Sequence, residues 1–372
     1  MRVPFVDLAA QEAPIAHEVL TEIARVARKG HFVLGEDVEA FERWLARACA
    51  TTYAVGVASG TDAIELTLRA MGVSSGDAVV TPALSFIAAA EAIGAAGARP
   101  VFCDVDPTTM NASVATVDES IERATRAGLR VRAIVPVHLF GRCAPTASLK
   151  ALAAQRGIAL VEDAAQAIGA SDESGIPAGG VGDAGCFSFF PTKGLGAWGD
   201  GGAVVTSRGD IATRMRRLRA HGAVEPYVHE EAGRNSRLDA LQAAVLLTKT
   251  QRLTDWQRAR TRSAARYRSE LARWPLLLPD PPHPPAVHAW HAFVIRTPRR
   301  DALARFLHAR GVETRVYYPV SLNRQPCFKW LREPALPVAE EVCRTALALP
   351  IFAAMSDEQQ DSIVEHVGRF FT

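Results

Sequence analysis

The residues best suited to chemistry lie in Gly185-Cys-Phe-Ser-Phe-Phe-Pro-Thr-Lys-Gly-Leu-Gly196, where a lysine follows an apolar run inside a glycine-containing loop. Such a loop can hold Lys193 rigidly while its amine faces a cleft, although a loop lysine taken alone is ordinarily a solvated surface group. A second stretch, Val161-Glu-Asp-Ala-Ala-Gln166, closes an apolar run at 158–161. An acidic residue at the carboxyl end of a parallel strand sits where α/β proteins place ligands, and it can pair with a protonated pyridine nitrogen. Its plainer reading is a helix N-cap or a structural ion pair. A third stretch, Ala58-Ser-Gly-Thr-Asp-Ala63, lies between a strand-like run and a helical pattern. Its backbone N–H groups and the Thr61 hydroxyl suit a phosphate at a helix N-terminus, and they equally suit an ordinary cap. Phe86 begins a helical run and can stack on a flat ring or fill the core.

The elements that must position these groups follow from periodicity. Helical patterns cover about 11–28 and 36–48, and from Tyr53 onward short apolar runs alternate with longer helical ones. Strands are predicted at 53–57, 78–81, 99–102, 132–136 and 158–161, with helices near 61–70, 86–95, 117–127 and 146–155. This alternation predicts an α/β fold with a largely parallel sheet covered on both faces. Two further runs, 185–190 and 202–206, are predicted to be neighbouring strands joined by the Lys193 loop. A long helix is predicted over 237–272. The proline-rich segment 275–285 then divides the chain into a large unit, 1–274, and a small α+β unit, 275–372, built from a strand at 289–296 and helices at 299–309 and 357–369.

Composition narrows the class of partner. The 42 basic and 40 acidic residues leave a net charge of +2, which gives no argument for nucleic acid or a membrane surface. The densest basic run, 214–219, is expected to be a solvated helix face. No apolar run suits a signal peptide or a membrane span, so a cytoplasmic location is expected. The six cysteines, at 49, 103, 143, 186, 327 and 343, form no paired metal motif and are expected to be reduced and mostly buried. No metal site is expected: His283, His288 and His291 lack a carboxylate or cysteine partner and are predicted to lie on the surface. His138 is expected to be structural.

Taken together, these stretches resemble the DegT/DnrJ/EryC1/StrS family of pyridoxal phosphate-dependent nucleotide-sugar aminotransferases. The resemblance runs from Phe5-Val-Asp-Leu8 through Ser59-Gly-Thr-Asp-Ala63, Glu162-Asp-Ala-Ala-Gln166, Phe187-Ser-Phe-Phe-Pro-Thr-Lys193 and Gly199-Asp-Gly-Gly202 to Asn235-Ser-Arg-Leu-Asp-Ala-Leu-Gln-Ala-Ala244. It implies the aspartate-aminotransferase-like fold type I and a homodimer with shared active sites. It also implies pyridoxal 5′-phosphate as cofactor, in its pyridoxamine form during part of turnover. By the same resemblance Lys193 links covalently to the cofactor and Asp163 pairs with its ring nitrogen. Gln166 lies near the ring, Phe86 stacks on it, Gly60, Thr61 and Ser188 contact the phosphate, and Asn235 reaches the phosphate from the second subunit. One departure is Gly194, where family members commonly carry asparagine.

The resemblance further implies L-glutamate as amino donor and a nucleotide-linked ketosugar as acceptor. The segment Thr314-Arg-Val-Tyr-Tyr-Pro-Val-Ser-Leu-Asn-Arg-Gln325, with Asn235-Ser-Arg-Leu-Asp239, is closer to enzymes acting on 3-keto sugars carrying dTDP or UDP. His31, Arg237, Tyr317 and Tyr318 are candidates for the sugar or nucleotide pocket. The alternatives are a 4-keto sugar aminotransferase, a related sugar dehydratase, and a cofactor-binding regulator without turnover.

Overall fold

The computed structural model describes all residues, 1–372. Seven strands form the central sheet: β1 (Tyr53–Val57), β2 (Asp77–Pro82), β3 (Arg99–Cys103), β4 (Arg130–Ile134), β5 (Ala159–Asp163), β6 (Ala184–Ser188) and β7 (Gly202–Thr206). They lie in the order β1-β7-β6-β5-β4-β2-β3. Neighbours from β6 to β3 pair in parallel, while β7 is antiparallel to both β6 and β1. All strands but β7 therefore point the same way, which brings the carboxyl ends of β1, β2, β5 and β6 to one edge of the sheet.

The strands read as nearly unbroken apolar runs because both faces are covered. Alternate residues serve opposite layers: Val55, Val57 and Val204 join one core with helices Gly60–Ala70, Ala88–Ala95 and Gly209–Leu218, while Ala54, Ala203 and Val205 join another with helices Glu36–Ala48 and Ala240–Thr250. Helices Val114–Arg126 and Thr146–Arg156 cover the β2–β5 half of that second face. In the C-terminal region the strands Phe293–Arg296 and Ala346–Leu349 pair antiparallel beside helices Arg300–His308 and Asp357–Phe371. Their core also takes Val3 from the N-terminus and Tyr267 and Leu271 from helix Leu253–Leu271. No helix is long and apolar enough to cross a membrane.

Several elements differ from the sequence expectation. The helix predicted over 237–272 is two helices, Ala240–Thr250 and Leu253–Leu271. The first packs on helices Ala16–Lys29 and Glu36–Ala48, the second on Asp357–Phe371, so different tertiary partners pull the two halves onto different axes. The N-terminal helix begins at Leu8 and is interrupted at Ala13–Ile15 by a short 3-10 turn containing Pro14. Phe86 precedes helix Ala88–Ala95 and does not begin it. The strand predicted at 289–296 is confined to Phe293–Arg296, because Trp290 takes a positive φ and its ring stacks on His288.

Charge placement also departs from the pattern. Arg219, expected on a solvated face, is buried and donates to Glu42 and to the Gly56 carbonyl. Arg214 pairs with Glu231. His283 is exposed as expected, but His288 is buried and His291 half-buried, because the chain after the proline-rich segment folds back across Gly141 rather than remaining on the surface. Four of the six cysteines are buried and none is paired.

Candidate active site

The loop after β6 presents Lys193. Phe189 N–H donates to the Gly201 carbonyl, Ala197 N–H to Phe189 and Lys193 N–H to Phe190, each at 2.8 Å. The turn is so tight that a Cβ on Gly196 would stand 2.2 Å from the Pro191 carbonyl oxygen, so only glycine fits there. The backbone is thus fixed while the Lys193 amine makes no hydrogen bond or ion pair within the chain. Burial pushes its pKa down, and the nearby Asp163 charge pulls in the opposite direction.

Asp163 ends β5 and is 5% exposed. Its side chain accepts one hydrogen bond, from Ala165 N–H at 3.1 Å. Burial raises its pKa, while that bond and the Lys193 charge oppose the rise. The adjacent Glu162 points to the other side of the strand and is fully satisfied: it accepts from His138 Nε2 and from the N–H groups of Gly179, Val181 and Gly182. Burial pushes Glu162 upward, but the His138 hydrogen bond, with the Gly182 and Gly179 bonds, leaves it below the ordinary carboxylate range. His138 Nδ1 accepts from Ala144 N–H at 3.1 Å, which places the ring proton on Nε2. Two adjacent carboxylates on one strand therefore have different environments, one saturated and one open.

At the end of β1, Ser59 caps helix Gly60–Ala70 by accepting from Asp62 N–H at 3.1 Å. The N–H groups of Gly60 and Thr61 precede the first intrahelical bond and are available to an anion. Gly60 lies so close to β6 that a Cβ there would meet Ser188 Cβ at 2.6 Å, which brings the Ser188 hydroxyl to the helix start. Gly60, Thr61, Phe86, Asp163, Gln166, Ser188, Lys193, Tyr317 and Tyr318 all line one cavity of about 450 Å³. Phe86 is 56% exposed, so its ring lies open beside the cavity instead of filling the core. Gln166 is held from both ends, accepting from Phe140 N–H at 2.7 Å and donating to the Tyr318 hydroxyl at 3.3 Å.

Three predicted residues are elsewhere. His31, Asn235 and Arg237 do not line this cavity. Asn235 and His31 are exposed, and an isolated bridge between Val33 and Asp239 brings their two segments together on one face. Conversely, two residues at the site were not expected from the sequence. His291 lines the Lys193 cavity and an adjoining lobe of about 360 Å³, and Arg260 lines that lobe. Neither stands in a recognisable motif, and the only sequence signal for Arg260 was its position on a helix whose neighbours include Ala264, Tyr267 and Leu271 on the buried side.

Comparison with known proteins gives a consistent result. The pleiotropic regulatory protein of Geobacillus stearothermophilus is 40% identical over all of this chain and 99% of its own length. The UDP-N-acetyl-3-dehydro-alpha-D-glucosamine 3-aminotransferase of Acidithiobacillus ferrooxidans is 40% identical over 96% of this chain and 95% of its own. The crystal structure of DesV from S. venezuelae, in complex with a ketimine intermediate, superposes with a TM-score of 0.94 at 40% identity, covering 99% of this chain and 98% of that one. The model of the DegT/DnrJ/EryC1/StrS aminotransferase family matches residues 14–368, and the chain belongs to that family.

Proposed function

We propose that this enzyme moves an amino group from L-glutamate to a nucleotide-linked 3-ketosugar carrying dTDP or UDP, releasing an aminosugar. The observation that carries the proposal is a half-buried Lys193 amine without a hydrogen-bond partner lining the same cavity as the open Asp163 carboxylate. These residues fit pyridoxal 5′-phosphate, the cofactor of this enzyme. Asp163 is buried with a single hydrogen bond and would gain a counter-charge from a protonated ring nitrogen. The start of helix Gly60–Ala70, with Thr61 and Ser188, suits the phosphate, and Phe86 offers a face to the ring.

When bound, the cofactor supplies an aldehyde that condenses with amines and a ring that takes up the electron pair left when a Cα proton departs. The chain provides the remainder. Asp163 would hold the proton on the ring nitrogen, its carboxylate and the cationic ring each favouring the charged form of the other. Lys193, whose amine burial makes less basic than an ordinary lysine, would serve as the base that takes the Cα proton of the donor. In the acceptor half-reaction the same amine, having taken up a proton, would deliver it to the sugar carbon that becomes the amine-bearing centre. Gln166 and Tyr318, hydrogen-bonded to each other, shape the cavity wall beside Asp163.

The 3-keto preference draws support from the 3-dehydro substrate in the name of the Acidithiobacillus relative. A homodimer is also proposed. Asn235 and His31 are exposed beside Phe32 and Val33, and a second subunit seated on that face would bring Asn235 towards a partner's cavity. The proposed setting is the cytoplasm, which suits six unpaired cysteines. The pyridoxamine form, mixed with 3-keto and 4-keto sugars carrying dTDP, UDP or GDP and followed by product NMR, tests the assignment. Amination at C3 of a dTDP or UDP sugar is expected, and amination only at C4 refutes the 3-keto reading.

A further inference from the structure

Besides the Lys193 amine, Arg260 is a charge at this site that the chain leaves without a counter-ion. Projecting from helix Leu253–Leu271, it is 6% exposed and makes no hydrogen bond or ion pair. Burial lowers its pKa to about 10, so it remains a cation at neutral pH. The only carboxylate lining the same lobe, Glu313, is already taken by Arg2 and by the Phe5 N–H. A buried guanidinium without an anion is costly, because it cannot shed its proton to escape desolvation. The lobe adjoins the Asp163 cavity, sharing Lys193, Thr192, Phe190, His291 and Tyr317.

We infer that Arg260 is the anchor for the α-carboxylate of the amino donor, an inference that rests on Lys193 being the site of amino transfer. The position of the guanidinium selects that group. A Cβ on Gly194, the residue following Lys193, would stand 3.8 Å from Arg260 Nη1. The donor atom that must reach Lys193 is Cα, and the α-carboxylate is bonded to it. Glycine at 194 leaves the guanidinium uncovered on that side, since a Cβ there would meet only Ile168 Cγ2, at 3.2 Å, and Arg260 Nη1. His291 completes the subsite as a neutral donor. Burial, reinforced by the Lys193 and Arg260 charges, holds its pKa well below that of an ordinary histidine, so it offers an N–H without adding charge. A planar guanidinium binding a carboxylate through two parallel N–H bonds also fixes the direction of the Cα–H bond.

The test compares Arg260→Gln and Arg260→Lys with the unaltered holoenzyme in the donor half-reaction, followed by loss of the lysine-bound cofactor absorption. The donors are L-glutamate and its α-amide, which differ only at the α-carboxylate. Arg260→Gln should weaken L-glutamate by about 10- to 100-fold, the range for losing a charge-assisted hydrogen-bonded contact, while changing the α-amide little. Arg260→Lys keeps the buried cation and the fold, and it should lose about tenfold on L-glutamate alone because an ammonium cannot bind in two-pronged fashion. Calorimetry with glutarate, which has no amine to transfer, should show the same order of weakening without turnover. Equal losses on L-glutamate and its α-amide overturn the inference, as does a loss confined to the ketosugar half-reaction. Should no ketosugar react with the unaltered enzyme, the acceptor assignment fails while the donor comparison stands.

Discussion

The Asp163 side of the cavity is made by strand ends. Asp163 closes β5, Ser188 closes β6 and Gly60 follows β1, so sheet hydrogen bonds set their spacing. Behind them, Glu162, His138 and the Gly179–Gly182 turn satisfy one another completely. The Arg260 side is made by a helix flank, by His291 after the proline-rich segment and by Tyr317 of the C-terminal region, three segments far apart in sequence. There the chain leaves a buried cation unpaired. The first side is rigid and suits a cofactor that stays; the second presents unmet charge and suits substrates that come and go.

Removing the amine common to both sides should have the largest effect. Lys193→Ala is expected to reduce transamination by more than about 10⁴-fold, as for other groups that act as a unit with their partners, with the fold intact by circular dichroism. A variant with near-normal turnover would remove Lys193 from the mechanism. Asp163→Asn keeps the shape but cannot hold a proton on the ring nitrogen. It should cost about 10²- to 10³-fold in the donor half-reaction, measured by stopped-flow, while the cofactor still links to Lys193.

The supports behind each side separate next. Glu162→Gln replaces a carboxylate that accepts four hydrogen bonds, so its loss should destabilise the protein by about 3 kcal/mol in denaturant titration. An unchanged midpoint would mean that this network does not brace β5. Outside both sides, in the segment after the prolines, His288 is buried and accepts from Trp290 N–H at 2.9 Å. Burial, with a smaller effect of the Arg142 charge, lowers its pKa to about 3. The folded value is depressed, so the unfolded chain binds the extra proton. Stability is therefore full above the unfolded pKa of about 6.5 and declines as pH falls below it, by about 2 kcal/mol between pH 6.5 and 5. His288→Gln should flatten that decline, and an equally steep decline in the variant would assign it to other groups.

The two sides were also unequally legible in the sequence. Lys193, Asp163, Gly60, Thr61, Ser188 and Phe86 stand in short stretches whose strand-then-turn pattern announces both the element and its end, and the structure gathers them as those stretches suggest. Arg260 and His291 carry no such signal. A helical arginine reads as solvated until it is known what packs over it, and here residues from both ends of the chain line the lobe it faces. His291 read as a surface residue because prolines precede it, yet the segment folds inward over Gly141. The break at 251–252 in the long helix was invisible for the same reason, since no proline or glycine marks it and tertiary packing alone divides the two halves.

Borohydride reduction of the holoenzyme, followed by proteolysis and mass spectrometry, tests most directly whether the two sides meet at a cofactor-bearing amine. A single pyridoxyl group on the peptide containing Lys193, lost when L-glutamate is added before reduction, is the predicted result. Label on another lysine, or label on Lys193 that L-glutamate does not remove, would contradict the account.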